Sequence, residues 1–249
     1  VTDDSRARVP AMFRVVGRLN RTLSEDFLGG PRVLKMAWVI NLQKATTLLF
    51  VGGLMVAYQN FSTAAWVYLA LHGTYGLCWL LKHLAFPDAS WEKRVTFGGA
   101  VSSWLLVLGL YWVFPVLLIS PVLGPDHPQP SVALMSFCIG LHTLGVVIMM
   151  AADCQKSTTL KIRKGLITDG MFARVRHPNY LGEMMLYAAY ALMVRHWIPW
   201  LILAWVWGGV FVTNMLHKEA SMSRYPEWDA YRARTGMLLP RLRAPRARA

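Results

Sequence analysis

Six stretches of the chain are apolar over about the 20 residues that carry a helix across a bilayer core. They lie near 36–58, 63–84, 95–119, 131–152, 178–194 and 197–215. Between them the chain is punctuated by residues that stop helices. Gly29-Gly30-Pro31 precedes the first span, and Phe86-Pro87-Asp88-Ala89-Ser90 closes the second. A proline-rich stretch over 121–130 follows the third, and Arg195-His196 makes a tight turn before the sixth. The pattern predicts an all-α, polytopic integral membrane protein with about six transmembrane helices. A single transmembrane catalytic domain over 36–241 is expected. Before it lies a basic amphipathic segment, 1–35, whose Met12, Phe13, Val15, Val16 and Leu19 suit a short surface helix. After it comes a basic tail, 242–249.

Composition agrees with a membrane protein: of 249 residues 55% are hydrophobic, with 11 Trp and a net charge of +13. In a soluble protein such a charge would suggest nucleic acid. Here the cations sit at the ends of apolar runs, which points to anionic lipid or an anionic cofactor and away from nucleic acid. Their distribution also orients the chain. Seven Lys and Arg precede the first span, three (Lys82, Lys93, Arg94) fall between the second and third, six between the fourth and fifth, and eight after the sixth. Of the 26, only Lys44 and Arg195 are left over. By the positive-inside rule both termini are cytoplasmic. The expected location is a bacterial inner membrane or the endoplasmic reticulum, with an active site opening to the cytoplasm. Three scattered cysteines and seven histidines show no metal-ligand spacing, so no metal is expected.

The polar residues inside the spans carry the chemistry. Arg176-His177-Pro178-Asn179-Tyr180-Leu181-Gly182-Glu183 opens the fifth span, with Pro178 suited to a first helical turn. Asn179, Glu183 and Tyr187 recur every four residues and share a face. A carboxylate entering an apolar helix is costly and calls for a partner or a ligand. In the first span, Lys44 beside Gln43 either snorkels to the cytoplasmic end or faces the interior. His72 and Tyr75 share a face of the second span, as do His142, Met149, Asp153 and Lys156 on the fourth. Asp153, Arg176, Asn179, Glu183 and Glu219 then gather near cytoplasmic helix ends, under a basic loop running from Lys156 to Arg176. Cations above amide and carboxylate groups suit a ligand with phosphates at one end. No Gly-x-Gly-x-x-Gly or Walker motif is present, so a nucleotide would be held by the membrane helices themselves.

Gly170-Met171-Phe172, the Arg176–Glu183 motif, Tyr225-Pro226, Tyr231-Arg232-Ala233-Arg234-Thr235 and Leu239-Pro240 together resemble the C-terminal half of the steroid 5-alpha-reductase family and its bacterial relatives. The likeness covers about 148–241. It implies a membrane enzyme that uses NADPH to reduce a C=C bond conjugated to a ketone in a lipophilic small molecule. It places Asn179 and Glu183 near the nicotinamide, Asp153 on the cofactor, and Lys161, Arg163 and Lys164 at its phosphates, with Arg176, Tyr180, Glu219 and Tyr231 also toward the cofactor. Gln43-Lys44 stands where that family has Gln-Glu, which makes Lys44, Tyr75 and Glu183 the expected catalytic residues. A wider superfamily, similar in Arg-His-Pro-x-Tyr and in the tail, includes isoprenylcysteine carboxyl and phospholipid methyltransferases. It implies S-adenosylmethionine as the alternative cofactor and Glu219 as the tail carboxylate. A non-enzymatic protein that binds membrane lipids is the third reading.

Overall fold

The computed structural model describes residues 9–124 and 127–241. The expected tail, 242–249, and the start of the basic segment lie outside the described residues. Eight helices follow in order: α1 Ala11–Arg21, α2 Met36–Ala57, α3 Thr63–Ala85, α4 Phe97–Ile119, α5 Val132–Ile162, α6 Pro178–Val194, α7 Trp197–Met222 and α8 Trp228–Arg234. A two-residue antiparallel ladder, β1 Leu34–Lys35 with β2 Arg94–Val95, ties the entry of α2 to that of α4. The protein is a polytopic, mostly helical membrane protein.

Five helices (α2, α3, α4, α5 and α7) are long and apolar enough to cross a bilayer. The remaining expected span, α6, has 17 residues, about 25 Å, the lower limit for a crossing. Most of α6 is buried among its neighbours.

Local chemistry sets the helix ends. Ser62, Thr96 and Ser131 each stand just before a helix and accept a backbone N–H from its first turn: Ala65 at 3.3 Å, Gly99 at 3.0 Å and Leu134 at 3.2 Å. Pro178 occupies the first turn of α6, and Arg195, with φ 53°, closes it in the left-handed region before α7 begins. Two helices run further than the hydropathy pattern predicts. α5 continues to Ile162 rather than stopping near 152, and α7 to Met222 rather than 215. Neither extension contains Gly or Pro, so the helices outlast their apolar stretches. Lys156 and Lys161 consequently lie on α5, not in a loop, and Lys218 and Glu219 lie on α7.

The tightest packing joins α5 to α6. A Cβ on Gly145 would come within 2.6 Å of the Gly182 carbonyl oxygen, and one on Gly182 within 2.6 Å of the Met149 amide nitrogen. Small residues let backbones approach where apolar burial cannot drive helix association. Gly76 does the same for α3 against α2, where a Cβ would lie 2.6 Å from the Lys44 carbonyl oxygen.

The N-terminal segment is a bracket on the outside of this bundle. α1 has no buried residue, and it is tied to α7 by Asn20 donating to the Gly209 carbonyl at 2.8 Å. The strand-entry segment then reaches α4, where the Ser102 hydroxyl donates to the Leu23 carbonyl. Replacing Gly145 with leucine is expected to force α5 and α6 apart. Overpacking of a close contact typically costs about 1–3 kcal/mol, and more where backbone stands in the way. Thermal unfolding of the detergent-purified variant should show a lower midpoint, whereas Gly52→Leu, with open space at its Cβ, should not.

Candidate functional site

The Arg-His-Pro motif before α6 is built into a clasp. Arg176 donates from Nε and Nη2 to the two Glu219 carboxylate oxygens at 2.7 and 3.0 Å, and from Nη1 to the Thr235 carbonyl at 2.7 Å. His177 Nε2 donates to the same Glu219 oxygen that Arg176 Nε meets, at 3.0 Å. Burial pulls the His177 imidazole below its usual pKa, against the opposite pull of Glu219. The chain after α8 pairs with the motif as a strand would: the amides of Arg176 and His177 donate to the carbonyls of Gly236 and Met237 at 2.9 and 3.1 Å. Tyr231 donates its hydroxyl to the Phe172 carbonyl at 2.8 Å, and burial pushes its pKa up to about 12. The two halves of the sequence signature are thus one joint.

Beyond the clasp, α6 presents Asn179, Glu183 and Tyr187 along one face. Asn179 and Glu183 are half-buried, and among the described residues neither side chain makes a hydrogen bond or an ion pair. The charges that act on Glu183 are Lys82, Asp153, Lys44 and Lys218, from four different helices. Lys82 and Asp153 form a buried ion pair, with the Lys82 ammonium 4.4 Å above the Trp79 ring. Lys44 is buried, which settles its two options in favour of the interior. Its ammonium donates to the Tyr187 hydroxyl at 3.0 Å and lies 4.4 Å from the centre of the Tyr75 ring. Tyr187 stacks on Tyr111 at 3.9 Å and meets Tyr75 edge-on at 5.7 Å. Lys218 donates to the Tyr180 hydroxyl at 3.2 Å. Near the mouth, Asp88 accepts from Lys156 at 2.9 Å. Burial alone would raise the Asp88 pKa, but the Lys156 ammonium and the Ser90 donors hold it well below the carboxylate range.

Several deeply buried polar atoms nearby lack partners among the described residues: both amide atoms of Gln43, the Tyr111 hydroxyl and His72 Nε2. A native fold leaves few such groups, and each typically costs about 1–3 kcal/mol. Their concentration on α2, α3 and α4 beside Lys44 marks this end of the bundle centre as adapted to something other than packing.

The structure therefore brings Lys44, Tyr75, Asp153, Asn179, Glu183 and Tyr180 to one region. Arg176, Glu219 and Tyr231 lie in the clasp, with their hydrogen bonds made inside the chain. Lys161, Arg163 and Lys164 are exposed at the end of α5, with Arg163 3.5 Å from Asp169. Sequence reasoning set Tyr187 on the face of Asn179 and Glu183 but gave it no role, and it missed Lys82 and Lys218 as parts of the cluster. Lys82 was counted with the cytoplasmic loop cations, yet it is buried and paired. The signal was there: Tyr75, Trp79 and Lys82 follow one another on a single helical face.

A family model described as a protein of unknown function, DUF1295, matches residues 33–235, and the chain belongs to that family. An uncharacterized protein of Schizosaccharomyces pombe is 42% identical over 105 residues, 40% of this chain and 37% of that protein. A second uncharacterized protein of the same yeast is 30% identical over 93 residues, 35% of this chain and 27% of its own. A Delta(14)-sterol reductase of Mus musculus is 29% identical over 113 residues, 38% of this chain and 26% of its own. The matches thus span less than two fifths of the length of these curated relatives.

Removing one partner of the buried Lys82–Asp153 pair is expected to destabilise by about 3–5 kcal/mol, because it strands the other charge. The double variant Lys82→Met with Asp153→Leu should recover most of that loss. Thermal unfolding of the two single variants and the double variant checks the coupling.

Proposed function

We propose that this chain is a membrane-embedded, NADPH-dependent reductase of a C=C bond conjugated to a carbonyl in a lipophilic small molecule, its active site opening to the cytoplasm. The observation that carries the reading is the α6 face, where Asn179 and Glu183 hold free hydrogen-bonding groups inside a cluster of lysines and tyrosines. The reductase named among the relatives supports it.

The residues fit the cofactor. Asn179 and Glu183 offer an amide and a carboxylate to a nicotinamide carboxamide, and Tyr180 closes the same turn. Lys161, Arg163 and Lys164, at the cytoplasmic end of α5, supply cations for phosphates. NADPH, when bound, supplies a hydride to the β-carbon of the conjugated system. Lys44 and Tyr187 then act on the substrate: the Tyr187 hydroxyl hydrogen-bonds the carbonyl oxygen, where negative charge develops, and the Lys44 ammonium stabilises that charge through the tyrosine. Tyr75 packs against both and orients them. The proton that completes the reduction reaches the α-carbon or the oxygen from this couple.

The S-adenosylmethionine alternative relies on Glu219 as a ligand-facing carboxylate. Both Glu219 oxygens are held by Arg176 and His177, which favours the reductase reading.

Asn179→Ala and Glu183→Ala should each weaken NADPH binding roughly 5- to 150-fold, the range for loss of one buried hydrogen-bond partner at about 1–3 kcal/mol. Equilibrium titration of the purified protein with NADPH and with S-adenosylmethionine measures this. Unchanged NADPH affinity in both folded variants, or tight binding of S-adenosylmethionine alone, would overturn the reading. Neutralising Lys161, Arg163 and Lys164 together to Gln should cut the preference for NADPH over NADH at least tenfold, about 1.4 kcal/mol. Their exposure makes the effect weaken with added salt. Nicotinamide titrations at two ionic strengths would show it, and a preference that survives the triple change would leave these cations with topology alone.

A further inference from the structure

A cavity of about 490 Å³ lies apart from the lysine and tyrosine cluster, between the N-terminal bracket and the bundle. None of Lys44, Asn179, Glu183 or Tyr187 lines it. Three π-helical segments meet on it: Thr22–Asp26 after α1, Trp104–Leu108 within α4 and Val206–Val212 within α7. Such segments interrupt regular helices mostly as single turns, frequently at functional sites. The volume falls within the roughly 300–1,000 Å³ range of small-molecule pockets.

Its polar lining groups come from α7 and α4 on one side and from the N-terminal bracket and Lys93 on the other. His217 Nδ1 faces the Thr213 carbonyl at 2.8 Å and must donate to it. In the neutral imidazole Nε2 is therefore an acceptor, and it makes no hydrogen bond among the described residues. The Asn214 side chain, half-buried in the lining, likewise makes none. Beneath them the hydroxyls of Thr213, a residue 1% exposed, and Ser103 are buried without partners. A turn about χ1, which threonine tolerates in a helix, re-aims such a hydroxyl. The remainder of the lining is largely apolar, with Met36, Ile40, Leu106 and Val210 among it.

Charge decides what kind of head group fits. Lys93 and Glu25 both line the cavity, but they pair with each other at 2.6 Å. Arg21 is exposed at the rim. No buried cation is left over to meet a phosphate or a carboxylate. Besides the exposed Arg21, what is left over among the described residues is an imidazole acceptor, an amide and the hydroxyls of Thr213, Ser103 and Ser24. We propose that this cavity is a binding site for a neutral amphiphile with an alcohol head group. Its hydroxyl donates to His217 Nε2 and accepts from Asn214 or Thr213, and its apolar body lies along the π-helical segments of α4 and α7. The site does not depend on the reductase reading.

The test is photolabelling of the full chain in lipid nanodiscs with hexadecanol carrying a mid-chain diazirine, followed by peptide mapping. Labelling is expected on residues 20–25, 104–108 and 206–214, and excess unlabelled hexadecanol should compete it away. Palmitate and phosphatidylglycerol at the same concentration should not. The near-isosteric variants Thr213→Val and Asn214→Leu, checked for monodispersity and unchanged unfolding midpoint, should each lose at least fivefold of the competable labelling. Should one fail to fold, the other and Ser103→Ala carry the comparison. Labelling spread evenly over the outer faces of α2 to α5 without competition would overturn the proposal. So would equal competition by phosphatidylglycerol, or full labelling in every folded variant.

Discussion

The close approach of α5 and α6 sets the terms for the rest of the bundle. Gly145 and Gly182 let the two backbones touch, and Gly182 is followed at once by Glu183, while Met149 on the facing helix is one turn before Asp153. Two carboxylates from adjacent helices are thereby brought within reach of each other inside a membrane protein. Like charges at such a place cannot both stay ionised without compensation. The compensation arrives from three other helices: Lys44 on α2, Lys82 on α3 and Lys218 on α7. Tyr75 and Trp79 then lie under the ammonium groups of Lys44 and Lys82, with Tyr111 and Tyr187 beside Lys44, while Lys218 lies over Tyr180. The glycine contact thus sets two carboxylates where the buried Lys44 and Lys82 can offset them.

The clasp plays a different part. It fixes the start of α6, and so the direction in which Asn179 and Glu183 point. Glu219 receives two donors from Arg176 and one from His177, and Thr235 takes the remaining guanidinium nitrogen. A bidentate arginine pair sets orientation as well as contributing energy. Because the last strand-like turn pairs its backbone with 174–177, the end of α8 and the mouth of α6 move as a unit. The tail motif and the Arg-His-Pro motif complete each other's hydrogen bonds.

Much of this was legible from the order of residues, and the reasons for the remainder are physical. The starts of α3, α4, α5 and α6 were legible because Ser62, Thr96, Ser131 and Pro178 give helix starts a local chemical signature. The far ends of α5 and α7 were not, because 153–162 and 216–222 lack any breaker and stay helical beyond the apolar stretch. Asn179 and Glu183 stood out by spacing, which is a property of one helix. Tyr187 followed on the same spacing, but its bond to Lys44, like the roles of Lys82 and Lys218, depends on which helix faces which. A lysine near a helix end reads as a topology signal in sequence whether it snorkels outward or turns inward to a carboxylate. The cavity beside α1 had no sequence signature, since π-helical turns carry no composition of their own.

On the proposed reading, the charge pattern of the cluster matches the charge that the reaction would move. Hydride transfer leaves the nicotinamide ring positive and the substrate oxygen negative. Glu183, on the α6 face beside Asn179, would turn a carboxylate toward the first of these charges. Lys44, joined to the Tyr187 hydroxyl one turn further along the same face, would turn a cation toward the second. An active site gains most when its fixed charges already point at those that develop, since nothing then reorganises during the step. The low-dielectric surroundings of α2, α3 and α6 enlarge both interactions relative to water. The exchange of the expected acid for Lys44 fits the same logic. With Asp153 and Glu183 already present, a third carboxylate on α2 would have left the substrate end of the face without a cation, whereas a lysine supplies one and balances the pair.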